Sequence, residues 1–527
     1  MRPITRALLG SAAGVFAVTG AQAADVPLNR PVRAVPVEYV KVCTLYGAGF
    51  WYVPGTDTCI KVGAYVKLQA EYNATNAPFM LGVANNGTGD PGGRHTRTDT
   101  SPFTWNNRGV TSFDMRTQTE YGTLRSYLDI GVQTAANDFN NGGNVPGTNQ
   151  LAAITVFNSR AFIQFAGFTV GRIRSFFDMY FQGTYTFAAQ RFANDTSPNG
   201  IVGAAYTWQF GGGLSASFSL EDNSQGAGGR GRSTVDVSVP SLAIAANTFD
   251  TKGVEFFDPV FNLRLDQAWG FVGVSAALHD ASGGYFTAPA AGIGCNAGTP
   301  TPFTPNTPGE GCGHPGDKFG WAVSPAFLWN SPFGLQGDTV AAQGVWSKGA
   351  AGYATPIFGP TAVFGSGLNV GLGWLEEGIF TNGSGVELTT VWSWNAAYEH
   401  RWNPQWRTSV YGGMIGVQYD GAAKAAICAG AGTAKPTAFV SPPGAGSITN
   451  FSNCDPNFSM SEVGTRTLWN PVPDLDVGVD FVWWHLNTAF AGTAVLGQNG
   501  AKPAGTYTIS NQDALSAIFR IQRNFLY

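Results

Sequence analysis

Side chains able to make or break bonds are few in these 527 residues, and their spacing fits no catalytic plan. The five histidines, His95, His279, His314, His400 and His485, share no metal-ligand spacing. No G-x-S-x-G elbow and no H-E-x-x-H motif occurs, so nothing nominates a nucleophile with its base. An enzyme is therefore not expected, nor any cofactor. The run Gly226 to Gly231, GAGGRG, has the glycines of a phosphate cradle but lacks a following helical pattern and a Lys-Ser/Thr pair, and it reads as a flexible loop. The six cysteines fall as three local couples, Cys43 with Cys59, Cys295 with Cys312 and Cys428 with Cys454, which suits disulfides that close loops in an oxidising compartment. A zinc site on Cys295, Cys312 and His314 matches no four-ligand spacing, so no metal is assigned.

What remains is charge, and it is placed with regularity. Lys67 stands between Val66 and Leu68. Arg125 and Asp129 alternate with Leu124, Leu128 and Ile130. Arg116 shares its parity with Asp114, Gln118 and Glu120, and Arg160 shares its parity with Gln164. Charges in such rows act by field rather than by bonding. Two unit charges about 8 Å apart interact by roughly 2 kcal/mol at an effective dielectric near 20, enough to sort ions and weak enough to release them. That chemistry needs extended strands, whose side chains alternate between two walls. Ile60, Val62, Ala64, Val66, Leu68, Ala70 and Tyr72 make one wall, while Lys61, Tyr65, Lys67, Gln69 and Glu71 make the other. Likewise Leu475, Val477, Val479, Phe481 and Trp483 oppose Asp476 and Asp480.

The chain begins as an export signal. Arg2 and Arg6 precede the apolar stretch Ala7 to Val18, and Ala21-Gln22-Ala23 has the form of a cleavage site, so residues 1–23 are expected to be removed. Without those two arginines, 28 basic residues face 34 acidic ones, a net charge of −6 that argues against nucleic acid as a partner. No later stretch suits a membrane helix. Trp321 to Gly337 is uncharged but holds Pro325 and Pro332, and falls short of the roughly 20 apolar residues needed. A membrane location would therefore require a closed barrel. Composition agrees: charged residues are only 12%, aromatics reach 13%, and mean hydropathy is near zero, as expected when apolar and polar residues alternate within the same segments.

Tight turns and long loops take turns along the chain. Turn chemistry marks seven short connections, at Tyr121-Gly122, Ala166-Gly167, Gly211 to Gly213, Trp269-Gly270, Ser331 to Gly334, Asn403-Pro404 and Asn470 to Pro473. Long stretches rich in Gly, Asn, Thr and Pro separate them, the clearest being Asn73 to Arg108, Asn137 to Gln150, Asn223 to Thr248, Ala281 to Asp317 and Asp420 to Ser459. Seven hairpins plus end strands at Cys59 to Tyr72 and Asp513 to Tyr527 give sixteen strands. The expected fold is all-β, a transmembrane antiparallel β-barrel with short periplasmic turns and long extracellular loops. Boundaries are open by a few residues, and counts of fourteen or eighteen fit the same plan. Residues 24–58 form an N-terminal segment on the periplasmic side, and 59–527 the barrel. A soluble sandwich would alternate too. The export signal, the hairpin rhythm and the aromatic surplus together favour the membrane. The final strand, with Phe519, Ile521, Phe525 and Tyr527 on one parity, has the form that outer-membrane assembly machinery reads. Arg523 breaks that parity and suits a headgroup position.

Three segments carry a family resemblance. KVCTLYGAGFWYVPGTDTCIKVG, ending at Gly63, FAGFTVGRIRSFFD from Phe165 to Asp178, and the terminal FRIQRNFLY resemble the alphaproteobacterial outer-membrane porin family, general diffusion type. The resemblance implies a homotrimer of sixteen-stranded barrels, in outer-membrane lipid and lipopolysaccharide, each passing small hydrophilic solutes. It also implies a third outer loop folded into the lumen, about 176–199. That loop would bring Asp178 and Asp195 opposite the wall acids Asp129 and Glu120 and the bases Lys67, Arg116, Arg125, Arg160, Arg172, Arg174 and Arg191. Arg172 and Arg174 share parity with Phe168 and Val170, so a bulge near Gly171 would be needed to turn them inward. Phe176, Phe177, Tyr180, Phe181, Tyr185 and Phe187 crowd the same loop, either pinning it to the wall by packing or forming a slide in a sugar-selective channel. An adhesin-like barrel and a secreted all-β binding protein are the other readings.

Overall fold

The computed structural model describes residues 41–73, 103–136, 153–180, 182–188, 192–193, 195–196, 199–224, 230–238, 250–286, 310–356, 359–429, 450–496, 498 and 502–525. The expected export signal, Arg191, Phe181, Cys295, Gly226 to Gly229 and Tyr527 lie outside them.

Sixteen antiparallel strands follow one another round a closed barrel. They are β1 Thr58–Asn73, β2 Phe103–Thr119, β3 Gly122–Ala136, a broken β4 of Ala153–Phe157 and Ala161–Phe165, β5 Phe168–Ile173, β6 Ile201–Gly211, β7 Leu214–Glu221, β8 Asp258–Gln267, β9 Gly270–Asp280, β10 Phe319–Asn330, β11 Thr339–Lys348, β12 Thr390–Arg401, β13 Trp406–Gln418, β14 Phe458–Trp469, β15 Leu475–Asn487 and β16 Gln512–Phe525. Closure comes from β16 pairing with β1, from Ala64 opposite Phe525 to Asn73 opposite Ser516. No sheet edge is left for the bilayer to hydrate, which is the condition for spanning lipid.

All seven short connections fall where turn chemistry puts them. At Ala166-Gly167 both residues have positive φ, 48° and 89°, which lets two residues join strands of native twist. At Gly213, φ is +83° and a Cβ would stand 1.9 Å from the Asp266 carbonyl oxygen, so only glycine lets the neighbouring hairpin approach. One boundary differs. Phe103 to Arg108, expected as loop, is strand, paired with β1 on one side and β3 on the other. Asn106 and Asn107 are poor strand formers, but two-sided pairing overrides that preference.

Alternation sets the two walls. On β15, Val479, Phe481 and Trp483 face outward, while Gly478, Asp480, Val482 and Trp484 are buried. On β10, Phe319, Trp321, Val323, Phe327 and Trp329 face outward, and Ala322, Ser324 and Ala326 are buried. Exposed rings of Trp402, Trp406, Trp469 and Phe333 collect at the short-turn rim, the position of an interfacial aromatic girdle.

The break in β4 has an identifiable clasp. Ala153–Phe157 pairs with the outer part of β3 and Ala161–Phe165 with the inner part. Between them, the Asp129 carboxylate accepts from the backbone N–H groups of Ser159 at 2.7 Å and Arg160 at 2.9 Å. At the start of β1, Trp51 and Tyr52 pair with Ile60 and Cys59, and the Cys43–Cys59 disulfide fixes this N-terminal hairpin. Outside the barrel, residues 359–375, 450–453, 491–496 and 505–509 build a five-stranded sheet from three different long loops. A helix, Gly421–Cys428, is capped by Asp420, whose carboxylate accepts from Ala423 N at 2.8 Å, and is tied to the same sheet region by Cys428–Cys454.

Candidate functional site

The described residues of the third outer loop, between 174 and 200, lie inside the barrel. The loop's backbone is held by the polar inner faces of distant strands. Asn262 Nδ2 donates to Phe176 O at 2.7 Å, Ser275 Oγ to Phe177 O at 2.8 Å, and Ser409 Oγ to Tyr185 O at 2.5 Å. Ala193 N donates to Ser393 Oγ at 2.9 Å, and Asn395 Nδ2 to Phe192 O at 2.7 Å. Asp480 accepts from Thr186 Oγ1 at 2.8 Å and Phe187 N at 2.6 Å. Arg466 donates to Thr184 O, and Arg520 to Phe187 O at 3.3 Å. The loop's partners thus come from β8, β9, β12, β13, β14, β15 and β16. Buried backbone groups need partners, and the barrel's inward Ser, Asn, Asp and Arg residues supply these.

The aromatic residues of the loop serve packing. Phe177, Tyr180, Tyr185 and Phe187 are all buried, against Tyr353 and one another on one flank and against Leu468 and Ile518 on another. Burial raises the ionisation of the Tyr180 and Tyr185 hydroxyls above the phenolic range, so both stay neutral hydrogen-bond donors.

The charged residues named from sequence divide into groups. Asp178 is inside the protein, its side chain 1% exposed. It accepts from Arg230 at 2.5 Å and from both Thr196 N (2.8 Å) and Thr196 Oγ1 (2.5 Å). Arg230 in turn stacks over Tyr353 at 4.3 Å and Phe177 at 5.2 Å, and donates to Gly352 O at 3.0 Å. This pair joins the infolded loop to two neighbouring outer loops. Asp195 faces Arg174 at 3.5 Å and accepts from Gln182 N at 3.2 Å. Arg160, beside the β4 break, lies in the field of Asp129, Arg174, Asp195 and Asp178. Arg174 and Asp195 therefore meet directly, with Arg160 in the field of both and of Asp178.

Arg116 and Arg125 sit opposite each other on β2 and β3 and both grip Asp114, at 2.7–3.0 Å and 2.9–3.0 Å. Arg116 also lies over Phe50 at 4.9 Å, so the N-terminal hairpin packs on this cluster near the inner rim. Glu120 occupies the exposed β2–β3 turn and is a rim residue, away from the infolded loop. Asp129 is spent on the β4 clasp. Arg172 keeps the outward parity of Phe168 and Val170, because pairing on both sides of β5 runs without a register shift. Gly171 has φ +129° yet inserts no extra residue, and Arg172 Nε donates to Asn199 O at 2.8 Å. The bulge needed to bring Arg172 to the lumen is absent from β5.

Several charged groups escaped the sequence reading. Arg230 and Arg232 follow a glycine run that looks like loop, yet both are buried, and Arg232 pairs with Asp280 at 2.9 Å. His279 lies between Asp258 (2.6 Å) and Glu377 (3.0 Å), with Tyr353 OH also donating to Asp258 at 2.8 Å. Sequence alone puts Arg108 at the edge of a loop and Arg520 in the terminal assembly strand, although both share parity with lumenal residues. That parity was the available signal. Two disulfide couples, Cys43–Cys59 and Cys428–Cys454, form as spaced. Cys312 is disulfide-bonded, and its expected partner Cys295 is outside the described residues.

Comparison with known proteins agrees with this architecture. A family model described as Porin subfamily matches residues 29–518. Porin Omp2b of Brucella suis is 31% identical over 285 residues, covering 51% of this chain and 69% of that protein, and the Brucella melitensis protein is 30% identical over 284 residues, with the same coverage. Among solved structures, the outer membrane channel DcaP of Acinetobacter baumannii superposes with a TM-score of 0.50 at 12% identity, over 90% of this chain and 99% of that one. With a closed sixteen-stranded barrel and a family match across nearly its whole length, the chain belongs to the porin subfamily, a multi-pass channel of the bacterial outer membrane for passive diffusion of small hydrophilic solutes.

Proposed function

We propose that solutes pass between the infolded loop and the wall made by β1 to β4. The observation that supports this is a difference in exposure between the two halves of the barrel. Inward side chains of β9 to β16 such as Ser275, Ala322, Ser347, Met460 and Ala514 are at most 1% exposed beneath the loops. Inward side chains of β1 to β3, including Tyr65, Lys67, Gln69, Arg108, Arg125 and Tyr127, keep part of their surface open. A water-filled slot along that wall would be narrowed by the loop and lined with charge, the arrangement in which a focused field filters ions.

The buried aromatics favour open diffusion over a sugar slide, since rings packed at Phe177, Tyr180 and Tyr185 have no face left for a passing sugar. Arg174 and Asp195 stand on the loop side of the slot, and Arg160, Lys67, Arg108 and Arg125 on the wall side. The chain acts as a homotrimer in lipid and lipopolysaccharide, a reading that rests on family membership. Planar-bilayer conductance of the detergent-purified, unreduced protein tests both points. Large steps in threes, with conductance nearly linear in salt, are expected. A heat-modifiable, folded barrel that gives no steps would refute the open channel, and single steps would refute the trimer.

A further inference from the structure

The structure assigns an oxyanion-binding step to Lys67, Arg108 and Arg520 on the channel wall, a reading that rests on the open slot proposed above. Lys67 and Arg108 are directly opposite in the β1–β2 register, and Arg520 is opposite Gln69 in the β16–β1 register, one inward position from Lys67. Arg520's inward direction is fixed independently of parity, because it reaches the infolded loop at Phe187 O and stacks over the Phe187 ring at 4.1 Å, and Lys67 and Arg108 follow from the register. The triad therefore stands at the level where the loop narrows the lumen.

These three cations differ from most lumenal arginines of the protein in what holds them. Arg116 and Arg125 share Asp114, Arg174 faces Asp195, Arg230 faces Asp178, and Arg407 and Arg466 share Glu399. Within the triad the fixed partners are neutral. Arg108 donates from Nε to Gln133 Oε1 at 2.7 Å and lies over Phe157 at 4.9 Å, and Arg520 donates from Nε to Gln69 Oε1 at 3.0 Å. Lys67 makes no hydrogen bond or ion pair among the described residues, and the charges it feels are those of Arg520 and Arg108. The acid whose field reaches Arg520 is Asp480, which is already engaged by Tyr411, Thr186 and the Phe187 amide; Arg466 and Tyr65 also face Arg520. Three positive charges held by amide oxygens and aromatic faces repel one another, and among the described residues none of them is ion-paired with an acid. A passing carboxylate or phosphate would offset that repulsion, taking charge-assisted hydrogen bonds from an ammonium with free donors and from guanidinium edges not committed to the glutamines. Partial exposure keeps the contact brief enough for release.

The test is the bilayer assay with inorganic phosphate and, separately, succinate added to a potassium chloride bath. In the native protein, reversal potential in asymmetric salt should favour anions, and either oxyanion should reduce chloride conductance at concentrations that uncharged glycerol does not. Each of Lys67→Gln and Arg520→Gln should raise the half-blocking concentration roughly tenfold, the scale of a lost hydrogen bond to a charged group. Lys67→Arg should keep the block, which separates charge from fold, and heat-modifiability on gels verifies the barrel of each variant. Block by phosphate alone assigns the step to phosphate-bearing solutes, and block by succinate alone to carboxylates. Normal steps with no block and no anion preference would overturn the inference while leaving the channel intact. Absence of steps would overturn the channel reading itself.

Discussion

Removing Asp178's charge is expected to undock the infolded loop rather than to retune ion preference. The carboxylate and the Arg230 guanidinium are each 1% exposed and 2.5 Å apart. Breaking a buried pair by neutralising one partner costs roughly 3–5 kcal/mol, because the other charge stays buried without compensation. With about 1.4 kcal/mol per tenfold, that shifts loop docking by roughly a hundred- to several-thousandfold. The two single variants should not be equal. In Arg230→Gln, Asp178 retains two donors from Thr196. In Asp178→Asn, Arg230 retains one carbonyl, Gly352 O, and two aromatic faces. Asp178→Asn should therefore be the more damaging, and the double variant should cost less than the sum of the singles, as expected for groups in direct contact. Amide hydrogen exchange of residues 176–187, together with current noise in single channels, reads the docking. Unchanged protection in Asp178→Asn, combined with a shifted reversal potential, would refute the reasoning and place Asp178 against the water path.

Three further outcomes are expected. Burial holds Glu376 protonated up to about 8, with Glu377 and Asp250 adding to the effect and Trp374 Nε1 opposing it, and burial beside Asp236 holds Asp250 up to about 7. An acid raised in the closed form gives its full stabilisation below its ordinary value of 4.5 and loses it as pH climbs towards about 8, so protease cutting of the outer loops should rise through that window and flatten in Glu376→Gln. Cys428–Cys454 closes 26 residues, for which chain entropy alone predicts roughly 3.5 kcal/mol; Cys428→Ser with Cys454→Ser should loosen the outer loops to proteolysis while the barrel still migrates as folded on semi-native gels. Phe481 lies midway along β15 on the lipid face, so Phe481→Arg should lower folded-barrel stability in urea by roughly 2–4 kcal/mol, and a neutral result would displace that position from the bilayer centre.

Most of the barrel was legible because its signals are local. Turn chemistry at Ala166-Gly167 or Asn470 to Pro473 needs no partner to be recognised, and strict alternation along β1 or β15 reports a two-sided wall wherever the strand sits. What escaped depends on distant contacts. Phe103 to Arg108 is strand because two neighbours pair with it. Arg230 is buried because three loops converge on it, which no property of GAGGRG announces. Asp129 reads as a wall acid in the sequence, whereas its role as a clasp is set by backbone N–H groups 30 and 31 residues away. The lumenal triad was half visible: Lys67 had the pattern, but Arg108 was lost with the loop boundary and Arg520 with the terminal strand.

The infolded loop lies early in the chain, yet most of the side chains that receive it come later. Asn262 meets it across 86 residues of sequence and Arg520 across 333. Contacts so far apart in sequence form only after the entropy of closing the intervening chain has been met. During insertion the narrowing therefore lacks most of its seat until β8 to β15 are in place, and its last tether belongs to β16, the strand that also seals the barrel against β1. Closure of the wall and setting of the bore are consequently one event, and a barrel arrested before its final strand would be both unsealed and wide.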